Sequence, residues 1–201
     1  MDAGDWDARY AAAEQVWSLD PNQFVASELG DLPAGTAVDL ACGEGRNAIW
    51  LARQGWRVTG IDFSEVAVER ARARDADGEV TWVAGDVLTV DMPEVDLAVL
   101  AYLQLPAGER RTAVRRAFDA LRPGGTQFVV AHDSTNLTEG TGGPQDPSVL
   151  YTAEDVLADV ADRDFEVVRA ERVSRTVTKD DEHGGRHDLV AWDALARLTR
   201  A

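Results

Sequence analysis

"VDLACGEGRNA", residues 38–48, decides how this chain is read. A short apolar run carrying one acid, Asp39, passes into a loop of small residues and then into helix-forming sequence. Gly43-Glu44-Gly45-Arg46-Asn47-Ala48 fits the G-x-G-x-x-G/A pattern of dinucleotide-binding folds. In that pattern the glycines permit a tight turn and let a ligand approach the backbone, while the following helix N-terminus favours polar or anionic groups. Glycines between a strand and a helix are often only turn chemistry, so the loop needs support from its surroundings. Asp62 supplies it, about 20 residues on, at the end of the next strand candidate, where an acid can bind both hydroxyls of a ribose.

Outward from the loop, short β-like runs alternate with helical ones. "AVDLAC" (37–42), "RVTGID" (57–62), "VTWVAGD" (80–86), "VDLAVLAY" (95–102) and "TQFVVAH" (126–132) are strand candidates. Helices are expected over "RNAIWLARQG", "SEVAVERARARDAD" and "AGERRTAVRRAFDALR", the last closed by Pro123-Gly124-Gly125. Such alternation with nearly continuous apolar strands implies a parallel sheet covered on both faces. Residues 133–151, rich in Gly, Thr, Pro and Asn without period, read as a long loop of the kind that serves as a lid. Thr152 is a candidate N-cap, with Asp155 in the capping-box position, for a helix near 153–161. "FEVVRAERVSRTVT" and "HDLVAWDALAR" have no helix between them and read as an antiparallel hairpin. The segment 5–30, with Trp6, Tyr10, Trp17 and Phe24, reads as helix.

At 201 residues, with 45% hydrophobic content, the chain fits one domain with a real core. Its expected parts are a helical cap (1–33), a cofactor-binding core (34–132), a lid loop (133–151) and a closing helix and hairpin (152–201). No apolar run is long enough to span a membrane, and "MDAGDWDARY" does not resemble a secretory signal, so a cytoplasmic protein is expected. The formal charge of -16 argues against wrapping nucleic acid, whose binding begins with Lys and Arg on phosphates. Cys42 is the single cysteine, which excludes an internal disulfide and a cysteine-cluster metal site. It reads as a small packing residue of the loop.

Three features bear on which cofactor the loop serves. Asp39 lies inside the first strand, where NAD-binding folds usually carry apolar residues; a buried carboxylate needs a partner, and a cationic amino group would be one. Gly85-Asp86 ends the third strand at the same sheet edge as Asp62. The sheet finishes in an antiparallel hairpin. With "VDLACGEGRNA", "VTGIDFS", "VAGDV", "DLAVLAY" and "LRPGGTQFVV" in this order, the chain resembles the class I S-adenosylmethionine-dependent methyltransferases. Within them, "WDARY", "VWSLDPN" and "GEGRNAIWLARQGWRVTGIDFS" look most like the tellurite-resistance and thiopurine-type enzymes of small molecules.

The resemblance implies an α/β, Rossmann-like doubly wound sheet of seven strands, mostly parallel with a C-terminal antiparallel hairpin. It implies S-adenosylmethionine as methyl donor and S-adenosylhomocysteine as product. Asp39 and the backbone at Ala41, Gly43 and Gly45 would then hold the aminoacyl end, with Asn47 a further candidate at the helix start. Asp62 would bind the ribose, Phe63 would flank the adenine, and Asp86 and Val87 would recognise its edge. Ala101 and Tyr102 would face the methionine and the reaction centre, and Trp6, Tyr10 and Trp17 would close the pocket.

His132, ending the fifth strand, is the candidate base, and Arg186 in the hairpin a candidate substrate contact. His183 and His187 have the i, i+4 spacing of helical metal ligands, but Gly184-Gly185 breaks any helix there, and no metal is expected. "AYLQ" (101–104) stands where base- and glutamine-methylating relatives carry Asn/Asp-Pro-Pro-Tyr/Phe. With the acidic charge, that favours a small-molecule acceptor over nucleic acid. An NAD-dependent oxidoreductase and a non-catalytic donor-binding protein are the competing readings. Oligomeric state is open.

Overall fold

In the computed structural model, which describes residues 3–12, 19–180 and 186–201, seven strands form one sheet. They are β1 (Thr36–Leu40), β2 (Arg57–Asp62), β3 (Val80–Ala84), β4 (Val95–Ala101), β5 (Leu121–His132), β6 (Phe165–Asp180) and β7 (Arg186–Arg200). Their order is β3-β2-β1-β4-β5-β7-β6. The first five pair in parallel, and β7 enters antiparallel between β5 and β6. The chain runs to one side of β1 and then returns to the other. The crevice at the carboxyl ends of β1 and β4 is therefore the switch point at which open α/β sheets bind ligands.

Side-chain alternation divides the strands between two cores. Val38, Leu40, Ala98 and Leu100 pack on one face with Val114, Ala117 and Phe118 of α5 (Ala107–Asp119) and Val156 of α7 (Ala153–Asp159). Ala37, Leu97 and Val99 pack on the other with Phe24, Val25 and Leu29 of α2 (Gln23–Leu29) and Ala48 and Leu51 of α3 (Arg46–Arg53). By the same alternation Asp39 shares the second face, below α3. Helix starts follow the local sequence. Asn22 Oδ1 accepts from Phe24 and Val25 N–H to cap α2, and Ser64 Oγ accepts from Ala67 N–H to cap α4 (Glu65–Arg74). Thr152 and Asp155 form the expected capping box.

Three expectations change. The N-terminal segment is not one helix: α1 (Ala3–Ala11) and α2 are separate, and the Asn22 cap starts the second afresh. Helix α5 ends at Asp119, before Pro123-Gly124-Gly125, because Ala120 C=O is captured by Val95 N–H (2.9 Å). Leu121 then pairs with Val95 and Thr126 with Leu97, so the Pro-Gly-Gly turn, with Gly124 at φ +80, is a bulge inside β5. The 133–151 loop carries a short helix, α6 (Asn136–Glu139), and a 3-10 turn (Pro147–Val149). It is tied to β7, with Trp192 N–H donating to Asn136 Oδ1 (2.8 Å) and Trp192 Nε1 to Glu139 C=O (3.2 Å).

The hairpin is longer than the sheet it closes. β5 pairs with β7 as far as His132↔Asp193, whereas β6 and β7 continue together to Asp180↔Arg186. A two-stranded ribbon thus projects past the carboxyl edge of the sheet.

Helices α5 and α7 are clasped by charge. Asp159, fully buried, accepts from Arg110 Nε (2.7 Å) and Nη2 (3.3 Å) and from Arg111 Nε (3.3 Å). Removing Arg110 leaves this buried acid only the longer contact to the more exposed Arg111, and breaking a buried pair in this way is costly. Arg110→Met should cost about 3 kcal/mol of stability, read as a lowered urea midpoint with unchanged slope.

Candidate active site

Where β1 ends, the backbone turns through left-handed conformations at Ala41 (φ +56), Gly43 (φ +53) and Gly45 (φ +83). At Gly45 a Cβ would lie 2.3 Å from the Trp82 ring and 3.0 Å from Ala71 Cβ, so neither the angle nor the space admits a side chain. Asp62, at the end of β2, holds this loop: Oδ2 accepts from Gly43 N–H (2.8 Å) and Oδ1 from Ser64 N–H (2.9 Å). Burial raises its carboxyl above the ordinary value, opposed by those two amides. Glu44, buried, fastens the loop to α4 through Arg70 (3.3 Å) and Arg74 (3.0 Å).

Asp39 is 1% exposed, and neither carboxylate oxygen makes a hydrogen bond. Burial lifts its pKa to about 7, and the Asp62 charge adds to the rise; the Ala48 amide and the Arg46 guanidinium pull the other way. A buried acid without a well-formed hydrogen bond is costly, and the Ala48 amide and Arg46 charge offset only part of that cost. The Cys42 thiol is pushed up by burial and by both acids, which keeps it protonated and out of nucleophilic chemistry.

Helix α1 reaches the same edge. Asp7 Oδ1 accepts from Ser64 Oγ and, at 3.4 Å, from Val66 N–H, which brings α1 to the start of α4. Trp6 and Tyr10 pair on it, ring centroids 5.7 Å apart, with Tyr10 buried. Trp17 lies outside the described residues. Phe63 is half-buried beside Asp62, Asp86 is exposed with Oδ1 accepting from Leu88 N–H (2.8 Å), and Val87 is buried. Asn47 is buried, and its Oδ1 accepts from Asn22 N–H (2.9 Å), so this side chain ties α3 to the start of α2.

On the far side of the crevice stand Ala101 and Tyr102. Tyr102 has φ +61; its N–H donates to Val130 C=O (2.7 Å) and its hydroxyl to Asp193 Oδ2 (2.8 Å). Burial and the Asp193 charge push the phenol well above its ordinary pKa, so Tyr102 is a hydrogen-bond donor and not a base. The His132 ring lies 4.8 Å from the Tyr102 ring. Arg175 Nε donates to Asp193 Oδ2 at 2.7 Å.

The fold therefore gathers Asp39, Ala41, Gly43, Gly45, Asp62, Ala101, Tyr102 and His132 at one sheet edge. It does not bring Arg186 to them: that residue opposes Asp180 at the outer end of the ribbon, exposed, seven positions along β7 from Asp193. The reason is the length of the hairpin, which places Arg175 of β6 at Tyr102 instead. His187 sits on the same exposed ribbon, and His183 lies outside the described residues. Arg175 and Asp193 were not singled out in the sequence. Asp193 carried the signal that marked Asp39, an acid within the apolar run "LVAWDALA".

Residues 37–125 match the family described as a methyltransferase domain. This stretch is a methyltransferase domain. An uncharacterized methyltransferase of Mycobacterium tuberculosis is 32% identical over 54% of this chain and 57% of its own length. Thiopurine S-methyltransferase of Photobacterium profundum is 26% identical over 66% of this chain and 72% of its own. The fold of the whole chain is matched by the N-methyltransferase NodS from Bradyrhizobium japonicum, solved with S-adenosylhomocysteine. That match has TM-score 0.73 and 21% identity, covering 100% of this chain and 99% of that one. The chain spans just over half the length of the first of these relatives.

The unbonded Asp39 makes the domain's stability depend on pH. Its folded pKa, about 7, lies above the ordinary carboxyl value of 3.8, so between these pH values the folded state holds a proton that the unfolded state has lost. Stability falls as pH rises through this window. Asp39→Asn removes the effect. Relative to wild type, the variant should gain roughly 2–4 kcal/mol between pH 4 and pH 8, measured by urea unfolding at each pH.

Proposed function

We propose that the chain is an S-adenosylmethionine-dependent methyltransferase that transfers the methyl group to a small molecule by in-line displacement. The observation that carries this reading is Asp39. Its carboxylate is buried without a hydrogen bond below the Asp62-held glycine loop. An α-ammonium group of the donor answers that need, whereas the nicotinamide dinucleotides of the competing reading bring none to this point.

When bound, the donor supplies a methyl group already activated on a sulfonium. The chain's work is to hold, align and keep out water. Asp39 takes the ammonium, and the backbone at Ala41, Gly43 and Gly45 takes the rest of the aminoacyl end. Asp62 keeps spare lone pairs for the ribose hydroxyls while holding Gly43 and Ser64. Phe63, Asp86 and Val87 take the adenine, and Trp6 and Tyr10 cover the pocket from α1. Ala101, Tyr102 and His132 face the methyl group, and the 133–151 loop is the lid on the acceptor side. Such alignment contributes up to about 7–11 kcal/mol of barrier lowering.

A small acceptor is supported by the charge of -16 and by "AYLQ" at residues 101–104. The thiopurine enzyme among the relatives is named for a small-molecule acceptor, and it favours the closer grouping with that type. A cytoplasmic setting goes with the single cysteine; among the described residues no helix is long and apolar enough to cross a membrane.

Calorimetric titration with S-adenosylhomocysteine, with NADH as control, tests the reading. Wild type should bind S-adenosylhomocysteine at micromolar concentration, and Asp62→Ala should weaken it at least tenfold, a loss of about 1.4 kcal/mol or more. Binding of NADH alone would replace the methyltransferase with the oxidoreductase reading.

A further inference from the structure

Asp193 is a second acid in the wall of the sheet, and its surroundings are asymmetric. Oδ2 accepts two hydrogen bonds, from the Tyr102 hydroxyl (2.8 Å) and from Arg175 Nε (2.7 Å). Oδ1 is buried with no hydrogen bond and lies 3.3 Å from His132 Nδ1, which is itself buried and unbonded. Distance permits a bond between these two atoms, and the alignment in this structure does not yet make one. Catalytic hydrogen bonds are often loose before ligands bind. The His132 side chain keeps 13% exposure, and since Nδ1 is buried, that exposure belongs to the other atoms of the side chain.

The ring is confined on other sides as well. A Cβ on Gly143, in the 133–151 loop, would lie 2.9 Å from its Cγ and Nδ1, so the loop backbone passes directly against it. The His132 backbone N–H donates to Gln104 Oε1 (2.9 Å), and Gln104 Nε2 donates to Val149 C=O (2.6 Å). The charged and titratable groups around this cluster are Asp193, Arg175 and Tyr102, with Arg46 and Asp39 beyond the phenol.

Building on the methyltransferase reading, we infer that Asp193 is the positioning residue for His132, fixing the neutral ring with its proton on Nδ1 and Nε2 bare to receive a proton from the methyl acceptor. The asymmetry dictates the tautomer. With both donors on Oδ2, the oxygen facing the ring offers only lone pairs, so the ring nitrogen beside it must donate. For an acceptor carrying O–H or N–H, the acceptor's lone pair bonds to the methyl carbon as the carbon–sulfur bond breaks. That bond's electron pair stays on sulfur, converting sulfonium to neutral thioether, and the acceptor's proton passes to His132 Nε2. The imidazolium so formed sits beside the Asp193 carboxyl group, whose other oxygen accepts from Arg175. The ring afterwards releases the proton to water.

The tautomer is read directly, without turnover, by long-range proton–nitrogen correlation on the full chain with labelled histidine. The chain has three histidines, and loss of a signal in His132→Gln identifies the relevant one. In the neutral form, wild type should show the proton on Nδ1. In Asp193→Asn, Tyr102 and Arg175 retain the amide oxygen at the Oδ2 position and turn the NH2 toward the ring. Nδ1 must then accept, and the proton should move to Nε2, as happens when an asparagine replaces the aspartate behind a catalytic histidine. Tyr102→Phe should leave the proton on Nδ1, because Arg175 still occupies Oδ2. A wild-type proton on Nε2, or an unchanged tautomer in Asp193→Asn, would overturn the proposal. Should Asp193→Asn fail to fold, the wild-type tautomer alone decides. S-adenosylhomocysteine titration of the same samples keeps the two readings apart. Asp193→Asn should bind within about threefold of wild type, and absence of binding to wild type would sink the donor reading while the tautomer result stands on its own.

Discussion

The rest of the site depends on one unsatisfied carboxylate. Asp39 occupies a position in β1 that alternation assigns to a packed face, between Val38 and Leu40, and it has no hydrogen bond there. An apolar residue would pack at lower cost, so the acid weakens the empty fold at neutral pH. The surrounding loop is arranged to tolerate this. Asp62 anchors Gly43, Glu44 is locked to α4 by two arginines, and Trp82 fills the space that a side chain at Gly45 would need. The scaffold is thus tied down by hydrogen bonds and ion pairs around the buried Asp39 carboxyl group.

The opposite wall follows the same logic with a different outcome. Asp193 in β7 is as buried as Asp39, but Tyr102 and Arg175 satisfy one of its oxygens. The two acids stand on either side of the switch point, one in a parallel strand and one in the antiparallel strand that closes the sheet. The positive φ of Ala41 and of Tyr102 marks the strand ends on each side, where the chain leaves the sheet under local strain. Helix α1, hooked by Asp7 to Ser64, reaches the Asp62 side of the crevice, and the 133–151 loop, hooked by Asn136 to Trp192, reaches the His132 side.

Much of this was legible in the sequence because it rests on local rules. The strand–glycine–helix stretch, Asp62 at a strand end, the Thr152 capping box and the closing hairpin are short-range patterns with a direct backbone meaning. Pro123-Gly124-Gly125 misled because the residues that end α5 are chosen by a hydrogen bond from Val95, far away in sequence. The position of Arg186 at the outer end of the ribbon, and of Arg175 nearer Tyr102, was hidden for a related reason. Hairpin register is fixed by pairing with β5, and a strand's sequence does not say where its neighbour stops. The tie between Asn47 and Asn22 was not legible because Asn22 sits in a segment with no visible pattern.

The most direct test of the account is proton release on binding S-adenosylhomocysteine, obtained by calorimetry in buffers of different ionisation enthalpy. If the ligand's ammonium supplies the partner that Asp39 lacks, its pKa falls from about 7 on binding. Wild type should then release approaching one proton per site near pH 6 and almost none at pH 9. Asp39→Asn should show no such release at either pH. Binding without proton release in wild type, or with the same release in the variant, would contradict the central role given to Asp39.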